Sequence, residues 1–190
     1  MNTMKGKRIV ITGPTSGIGK EIAIQLAALG AELILGCRDL KKGKQAAAEI
    51  AGQTGSSNVL VMHIDTSSQR SIREFVQEFR RKYRRLDVLI NNAGGNRGTL
   101  PKIDGPDGIE LTFATNVLGY FLLTQELLGL LEKSAPARIV NVASTYASDL
   151  DLDDLQFERR PFESFTAYAQ SKACNRMLTW ALARRLDGSG

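Results

Sequence analysis

The chain has 190 residues, of which 43% are hydrophobic and 24% are charged. This length suits one globular domain over residues 1–190, and the composition argues against disordered, collagen-like and low-complexity sequences. The 25 lysines and arginines outnumber the 20 aspartates and glutamates, which gives a net charge of +5. A charge of this size fits a solvated surface with one site for a phosphorylated ligand and does not require nucleic acid.

Cysteine usage and the N-terminal residues indicate a compartment. Cys37 and Cys174 are too far apart for a local metal motif and too few for a disulfide framework, so no metal is expected. Met1 to Lys7 lead directly into an apolar strand without a signal-peptide core, and no segment is apolar for long enough to span a bilayer. We therefore expect a soluble cytoplasmic protein.

Short apolar runs alternate with helical periodicities along the first half of the chain. The patterns predict strands over 8–12, 31–36 and 58–64, and helices over 17–30, 41–51 and around 72–83. The third helix has one apolar face and a basic run over 80–85. We interpret this run as a solvated helix face, with a nucleic-acid patch as the alternative.

The same alternation continues in the second half. Strands are predicted over 86–90 and 138–142, helices over 109–133 and 164–186, and connections over 95–108 and 143–165. No internal repeat or interdomain linker interrupts the chain. Strands that alternate with helices predict an α/β fold, with a doubly wound parallel sheet, helices on both faces and ligands bound at the carboxyl ends of the strands.

A glycine-rich turn joins the first predicted strand to the first predicted helix. A dinucleotide pyrophosphate at this position meets free backbone amides and the positive end of a helix dipole. Glycine keeps such a turn tight and lets phosphate approach the backbone. A tight turn without a ligand is the alternative. The candidate cofactor residues here are Gly13, Thr15, Ser16, Gly17, Ile18 and Gly19.

Two charged residues follow the next strands. Arg38 stands where an acid would select NAD, and its planar cation could bind the 2′-phosphate of NADP, with Lys41 and Lys42 nearby; a solvent-facing arginine is the alternative. Asp65 could accept a hydrogen bond from the adenine amino group or cap the following helix, and the sequence does not decide between these roles.

Tyr168 and Lys172 are four residues apart on the last predicted helix, so their side chains project from one face. A neighbouring ammonium stabilises a phenolate, and such a pair is suited to acid–base chemistry, although the spacing also arises by chance. Ser144 follows the fifth strand, where ligands gather, but it is equally consistent with a turn or cap residue.

Together these residues resemble the short-chain dehydrogenase/reductase family over essentially the whole chain. The glycine-rich signature of that family corresponds to 12–19, its Asn-Asn-Ala-Gly motif to 91–94, and its Tyr-x-x-x-Lys motif to 168–172. The resemblance implies a Rossmann-type fold in which Asn92, Ala93 and Gly94 line the adenosine half of a dinucleotide site, with Asp65 near adenine.

The same resemblance implies roles for four residues. Ser144 polarises a substrate carbonyl, and Tyr168 donates a proton. Lys172 stabilises the phenolate and holds the nicotinamide ribose, while Asn116 supports a water-mediated proton relay. The implied reaction is hydride transfer between a nicotinamide cofactor and a carbonyl or alcohol.

A narrower resemblance is to the retinol dehydrogenase-like branch, carried by residues 36–39, 149–165 and 167–172. It implies NADP(H) in preference to NAD and an apolar aldehyde, ketone or alcohol as the small-molecule substrate. Members of the family often pair through two long helices, here 109–133 and 164–186, so a homodimer is expected. They also continue past the last helix with further strands, so a chain truncated at its C-terminus is expected.

Two functional hypotheses follow. The first is an NADP-dependent oxidoreductase that uses Ser144, Tyr168, Lys172 and Asn116. The alternative is a sensor or scaffold protein that binds NADP(H) without catalysis. The complete set of catalytic residue types favours the enzyme, because a binding protein does not need them.

Overall fold

The computed structural model describes residues 3–96, 101–148 and 150–189 of the chain. The described residues form a parallel sheet of five strands in the spatial order β3-β2-β1-β4-β5. The predicted α/β fold with a parallel sheet is confirmed. The strands are β1 (Arg8–Thr12), β2 (Glu32–Cys37), β3 (Val59–His63), β4 (Val88–Asn91) and β5 (Arg138–Asn141).

Helices connect the strands. They are α1 (Gly17–Ala28), α2 (Leu40–Thr54), α3 (Gln69–Lys82), α4 (Leu111–Phe113), a π-helical segment (Ala114–Leu118), α5 (Gly119–Lys133) and α6 (Ser164–Arg185). No helix in the described part of the chain is both long and apolar enough to cross a membrane.

The predicted helix over 109–133 differs from the structure in two ways. The helix begins only at Leu111, because the carboxylate of Glu110 caps it by accepting from the backbone N–H groups of Thr112 and Phe113. It then passes through the π-helical segment before it continues as α5. Of the two predicted connections, residues 97–100 and 149 lie outside the described residues.

Both faces of the sheet are covered by apolar side chains. Because strand side chains alternate, Val10 and Ile34 face α3 and α5, whereas Ile9 and Leu33 face α1 and α2. On the first face, Phe75 and Phe79 of α3 have at most 1% of their surface exposed to solvent. Strands that bury both faces are typical of a doubly wound sheet, and they fix the positions of the loops at the ends of the strands. Val140 on β5, which pairs only with β4 among the described residues, is 44% exposed.

A buried carboxylate joins β1 and β4 at the amino ends of the strands. Asp87 is 1% exposed and accepts from the Lys7 ammonium at 3.0 Å, the backbone N–H of Arg8 at 2.9 Å and the Arg85 guanidinium at 2.6 Å. Burial by itself would raise the pKa of Asp87, but these hydrogen bonds hold the pKa below its ordinary value. Asp87 therefore stays ionised and ties the start of the chain to the centre of the sheet.

We predict that Asp87→Asn lowers stability in a pH-dependent way. A lowered pKa in the folded state stabilises the fold above the ordinary carboxyl pKa, and that contribution is lost as pH falls through the folded value. Because Lys7 and Arg85 are partly exposed, we expect a loss of about 1–2 kcal/mol at neutral pH that shrinks as the pH falls below the ordinary carboxyl pKa of 3.8. Urea unfolding across this range checks it, with the exposed Asp153→Asn as control; a loss independent of pH would contradict it.

Candidate functional site

An open cleft of about 550 Å³ lies at the carboxyl ends of β1, β2 and β4, where the strand order reverses direction. Every residue predicted to bind the cofactor lines this cleft: Gly13, Thr15, Ser16, Gly17, Ile18, Gly19, Arg38, Asp65, Asn92, Ala93, Gly94, Tyr168 and Lys172. The topology therefore brings together residues as far apart in sequence as Gly13 and Lys172.

The glycine-rich turn forms one wall of the cleft. Gly13 and Gly17 have positive φ angles of 66° and 53°, which side chains rarely permit. A Cβ atom on Gly19 would overlap the carbonyl oxygen of Gly13 and the Nδ2 atom of Asn92. The side chain of Ser16, the N-cap of α1, makes no capping hydrogen bond, so the first amides of the helix are left for a ligand.

Thr12 and Asn92 hold this turn against the loop that follows β4. The Oγ1 atom of fully buried Thr12 accepts from the backbone N–H groups of Asn92 and Ala93, both at 3.0 Å. In return, the Nδ2 atom of Asn92 donates to the carbonyl oxygens of Thr12 at 2.9 Å and Gly13 at 3.1 Å. The prediction placed Asn92 in the cleft but did not recognise Thr12 as the residue that aligns the two loops.

Arg38 and Asp39 follow β2 and both line the cleft. Arg38 is exposed and forms no ion pair with the described residues. Asp39 instead caps α2, and hydrogen bonds from the backbone N–H groups of Lys42 and Lys41 lower its pKa. Lys42 also lines the cleft, whereas Lys41 does not.

Asp65 lines the cleft after β3. Its Oδ1 atom accepts from the backbone N–H of Ser67 at 2.9 Å and from the Ser67 hydroxyl at 2.6 Å. The N-cap of α3 is Ser68, whose hydroxyl accepts from the backbone N–H of Ser71. The capping alternative for Asp65 is therefore wrong, because the loop is longer than that role allows and Ser68 occupies the position.

Tyr168 and Lys172 project from α6 into the opposite wall. Lys172 is 3% exposed, and its Nζ atom donates to the carbonyl oxygen of Val142 at 2.7 Å. The same Nζ atom lies 5.8 Å from the ring centroid of the half-buried Tyr168. Burial penalises the charged ammonium and lowers the pKa of Lys172 to about 8. The pair is close enough for the ammonium to stabilise negative charge on the tyrosine.

Ser144 and Asn116 do not line the cleft. The Oγ atom of Ser144 accepts from the backbone N–H of Tyr146 at 3.2 Å, which is the geometry of a turn residue. Asn116 lies in the π-helical segment, 1% exposed, where its Nδ2 donates to the Ser171 hydroxyl and its Oδ1 accepts from the backbone N–H of Gly95. Both residues are adjacent to the walls, since Val142, Ala143, Gly95 and Thr115 line the cleft.

The cleft also includes residues that the sequence did not single out for the site: Gly36, Cys37, Asp39, Ile64, Thr66, Gly95, Thr115, Val142 and Ala143. Most of them stand at the end of a strand or just after it. Their position at the carboxyl ends of parallel strands could have identified them from the sequence. The role of the Val142 carbonyl could not be identified in this way, because it is a backbone group and does not depend on the side chain. Among the described residues, no group of three or more histidines, cysteines and acids could hold a metal ion.

Comparison with known proteins gives a consistent set of relatives. Residues 7–190 match the family model described as short chain dehydrogenase. Human retinol dehydrogenase 13 is 44% identical over 190 residues, a match that covers 99% of this chain and 57% of that protein. Human retinol dehydrogenase 12 is 45% identical over 189 residues, which covers 98% of this chain and 59% of that protein. The chain thus spans somewhat more than half the length of these curated relatives.

Solved structures with the same fold include two that cover nearly the whole chain. An uncharacterized protein from Mycobacterium paratuberculosis is 34% identical with a TM-score of 0.85, covering 99% of this chain and 65% of that one. RhlG from Pseudomonas aeruginosa, in an active-site complex with NADP, is 30% identical with a TM-score of 0.80. That match covers 98% of this chain and 70% of RhlG.

We predict opposite effects for two glycine substitutions. Gly19→Ala forces a Cβ atom into the Gly13 carbonyl and should lower the free energy of unfolding by about 1–3 kcal/mol. Gly52→Ala lies on exposed helix α2 with open space around it, and should raise that free energy by about 0.5–1 kcal/mol. Denaturant unfolding of both variants measures the two effects. If Gly19→Ala stabilised the chain as Gly52→Ala does, the close packing of the turn would be refuted.

Proposed function

The chain belongs to the short-chain dehydrogenase family, and on this premise we propose that it is an oxidoreductase that uses NADP(H) to interconvert an apolar aldehyde or ketone and its alcohol. The observation that carries the proposal is one cleft that contains both an anion-binding glycine turn and the Tyr168–Lys172 pair. A dinucleotide site without such a pair would support binding alone.

The residues of the cleft fit a phosphorylated dinucleotide. The free amides at the start of α1 and the absence of a side chain at Gly19 suit the pyrophosphate. Asp65 and Asn92 to Gly94 would line the adenosine half, and the exposed cation of Arg38 would bind the 2′-phosphate of NADP. When bound, the reduced cofactor supplies a hydride to the carbonyl carbon.

The side chains of α6 would handle the proton. In the reductive direction, the Tyr168 hydroxyl donates its proton to the carbonyl oxygen, and the phenolate that remains is stabilised by the Lys172 ammonium 5.8 Å from its ring centroid. The Val142 carbonyl fixes that ammonium in place. Ser144 would donate its hydroxyl proton in a hydrogen bond to the substrate oxygen, because its bond with the Tyr146 N–H uses the hydroxyl only as an acceptor. Asn116 would support the return of a proton through water.

Aromatic side chains beside Tyr168 support an apolar substrate. Tyr146 is 63% exposed and Phe165 is 44% exposed, and their ring centroids are 5.4 Å apart. The Phe165 ring in turn lies 6.4 Å from the ring of Tyr168. Large apolar surfaces at the edge of a polar cleft are typical of a binding site for an apolar group. The retinol dehydrogenases among the relatives agree with this class of substrate.

We further propose that the protein is cytoplasmic and that two copies of the chain pair through α5 and α6. Cys37 and Cys174 are both free, which supports a reducing compartment such as the cytoplasm. Phe121 of α5 and Met177 and Trp180 of α6 are 47%, 49% and 61% exposed, respectively, which supports pairing of two chains through these helices.

We predict that Tyr168→Phe strongly reduces turnover without loss of cofactor binding. The substitution removes the proton donor but keeps the ring, so turnover with a panel of aldehydes and ketones should fall roughly 10²–10⁴-fold. Isothermal titration with NADPH should give an affinity within a few-fold of the parent. Tyr83→Phe, at the end of α3 and outside the cleft, is the matched control. A parent chain that binds NADPH but converts no member of the panel would favour the sensor or scaffold alternative.

We predict that Arg38→Ala weakens NADPH selectively. Loss of a charge-assisted contact to the 2′-phosphate should reduce NADPH affinity roughly ten- to hundred-fold and leave NADH affinity unchanged. Lys41→Ala removes an exposed cation just outside the cleft and controls for net charge. Side-by-side titration with both cofactors measures the ratio. An equal loss for both would assign Arg38 to the fold of the loop and remove the basis for NADP preference.

A further inference from the structure

The ring of Tyr120 packs beneath the Lys172 ammonium. Tyr120 lies on α5 and is 3% exposed, and the centroid of its ring is 5.4 Å from Nζ of Lys172. This distance falls within the ~6 Å over which a cation is attracted to an aromatic face. Lys172 is equally buried, so water screens the contact only weakly. Cation–π attraction is strongest under these conditions.

The ammonium has few other partners. Among the described residues, its hydrogen bond goes to the Val142 carbonyl of the segment that follows β5, and no carboxylate lies within ion-pair distance. Within the described part of the chain, the titratable groups that face it are Tyr168 from its own helix and Tyr120 from α5. A buried cation without a counter-ion is costly, and one neutral carbonyl compensates for only part of that cost. The two tyrosine rings supply the remaining negative electrostatic surface.

The ring of Tyr120, and not its hydroxyl, is the part that acts. The Oη atom is buried and has no hydrogen-bond partner among the described residues. Burial raises the pKa of Tyr120, and the charge of an ionised Tyr168 raises it further, so Tyr120 stays neutral when Tyr168 loses its proton. Tyr120 is therefore a poor second acid, and its contribution to the pair is the face of its ring.

The backbone holds this ring in a fixed position. Gly119 precedes Tyr120, and a Cβ atom at Gly119 would overlap the carbonyl oxygen of Thr66. This close approach seats the start of α5 against the loop that follows β3. Because this part of the helix packs closely against the loop, the ring of Tyr120 is held in position toward α6.

We propose that Tyr120 is a positioning residue that holds the Lys172 ammonium beside Tyr168 through the face of its aromatic ring. The catalytic consequence rests on the proposed function, in which Lys172 stabilises the phenolate of Tyr168. The electrostatic contact itself does not depend on any activity, so the two can be tested separately.

The test measures the proton affinity of Lys172 by NMR titration of the isotopically labelled chain. The side-chain signal of Lys172 is assigned as the one that disappears in Lys172→Arg. Tyr120→Phe removes only the unpartnered hydroxyl and should leave the affinity unchanged. Fluorinated phenylalanines at position 120 keep the shape of the ring while they withdraw its π-electron density, so the affinity should fall stepwise with each added fluorine. Tyr120→Leu should lower it about five- to thirty-fold, as expected for loss of a buried cation–π contact.

A different set of results is expected if the Tyr120 ring has no electrostatic role. If Tyr120 only filled space, Tyr120→Leu would admit water and raise the proton affinity of Lys172, and the fluorinated series would be flat; either result overturns the proposal. A second readout is the pH at which turnover declines on the alkaline side, which should move down in Tyr120→Leu and stay in place in Tyr120→Phe. A chain whose Lys172 responds as expected but reduces no carbonyl would refute the proposed function and leave this inference standing.

Discussion

Parallel strands that bury both faces of their sheet are the constraint on which this molecule depends. Since every strand of the described sheet runs in one direction, all the carboxyl ends meet at one edge and all the amino ends at the other. Apolar side chains alternate along β1 and β2 and pack against helices on both faces of the sheet, which fixes the position of each strand. Loops at the carboxyl edge are therefore held by rigid elements, although their residues are far apart in sequence.

The two edges of the sheet use polar groups in different ways. At the amino edge, Asp87 is surrounded by Lys7, Arg85 and a backbone N–H, so its negative charge is fully compensated by groups of the chain itself. At the carboxyl edge, Arg38 has no ion pair within the described chain, and the Lys172 ammonium has a carbonyl but no carboxylate. Only the buried ammonium is costly without a counter-ion, because water solvates the exposed Arg38. Both cations lie where the proposed function requires a negatively charged ligand or intermediate.

The sequence predicted the parts of this arrangement that depend on local pattern. Alternating periodicities located β1 to β5, glycines located the turn, and four-residue spacing placed Tyr168 and Lys172 on one helical face. The parts it missed depend on contacts between distant segments or on backbone atoms. The Thr12 hydroxyl that aligns two loops, the Val142 carbonyl that holds Lys172 and the π-helical segment around Asn116 leave no periodic signal. Asp65 was ambiguous because its role depended on whether Ser68 or an earlier residue began α3.

The Lys172 ammonium shows why such long-range contacts matter for chemistry. Burial lowers its pKa to about 8, close to the pH at which the pair would work, so small changes in its surroundings alter the fraction that is charged. A carboxylate partner would secure the charge, but it would also weaken the attraction of the ammonium for a phenolate at Tyr168. A carbonyl and the face of the Tyr120 ring hold the cation without an opposing full charge. Neutral partners thus hold the Lys172 ammonium in place and leave its positive field directed at Tyr168.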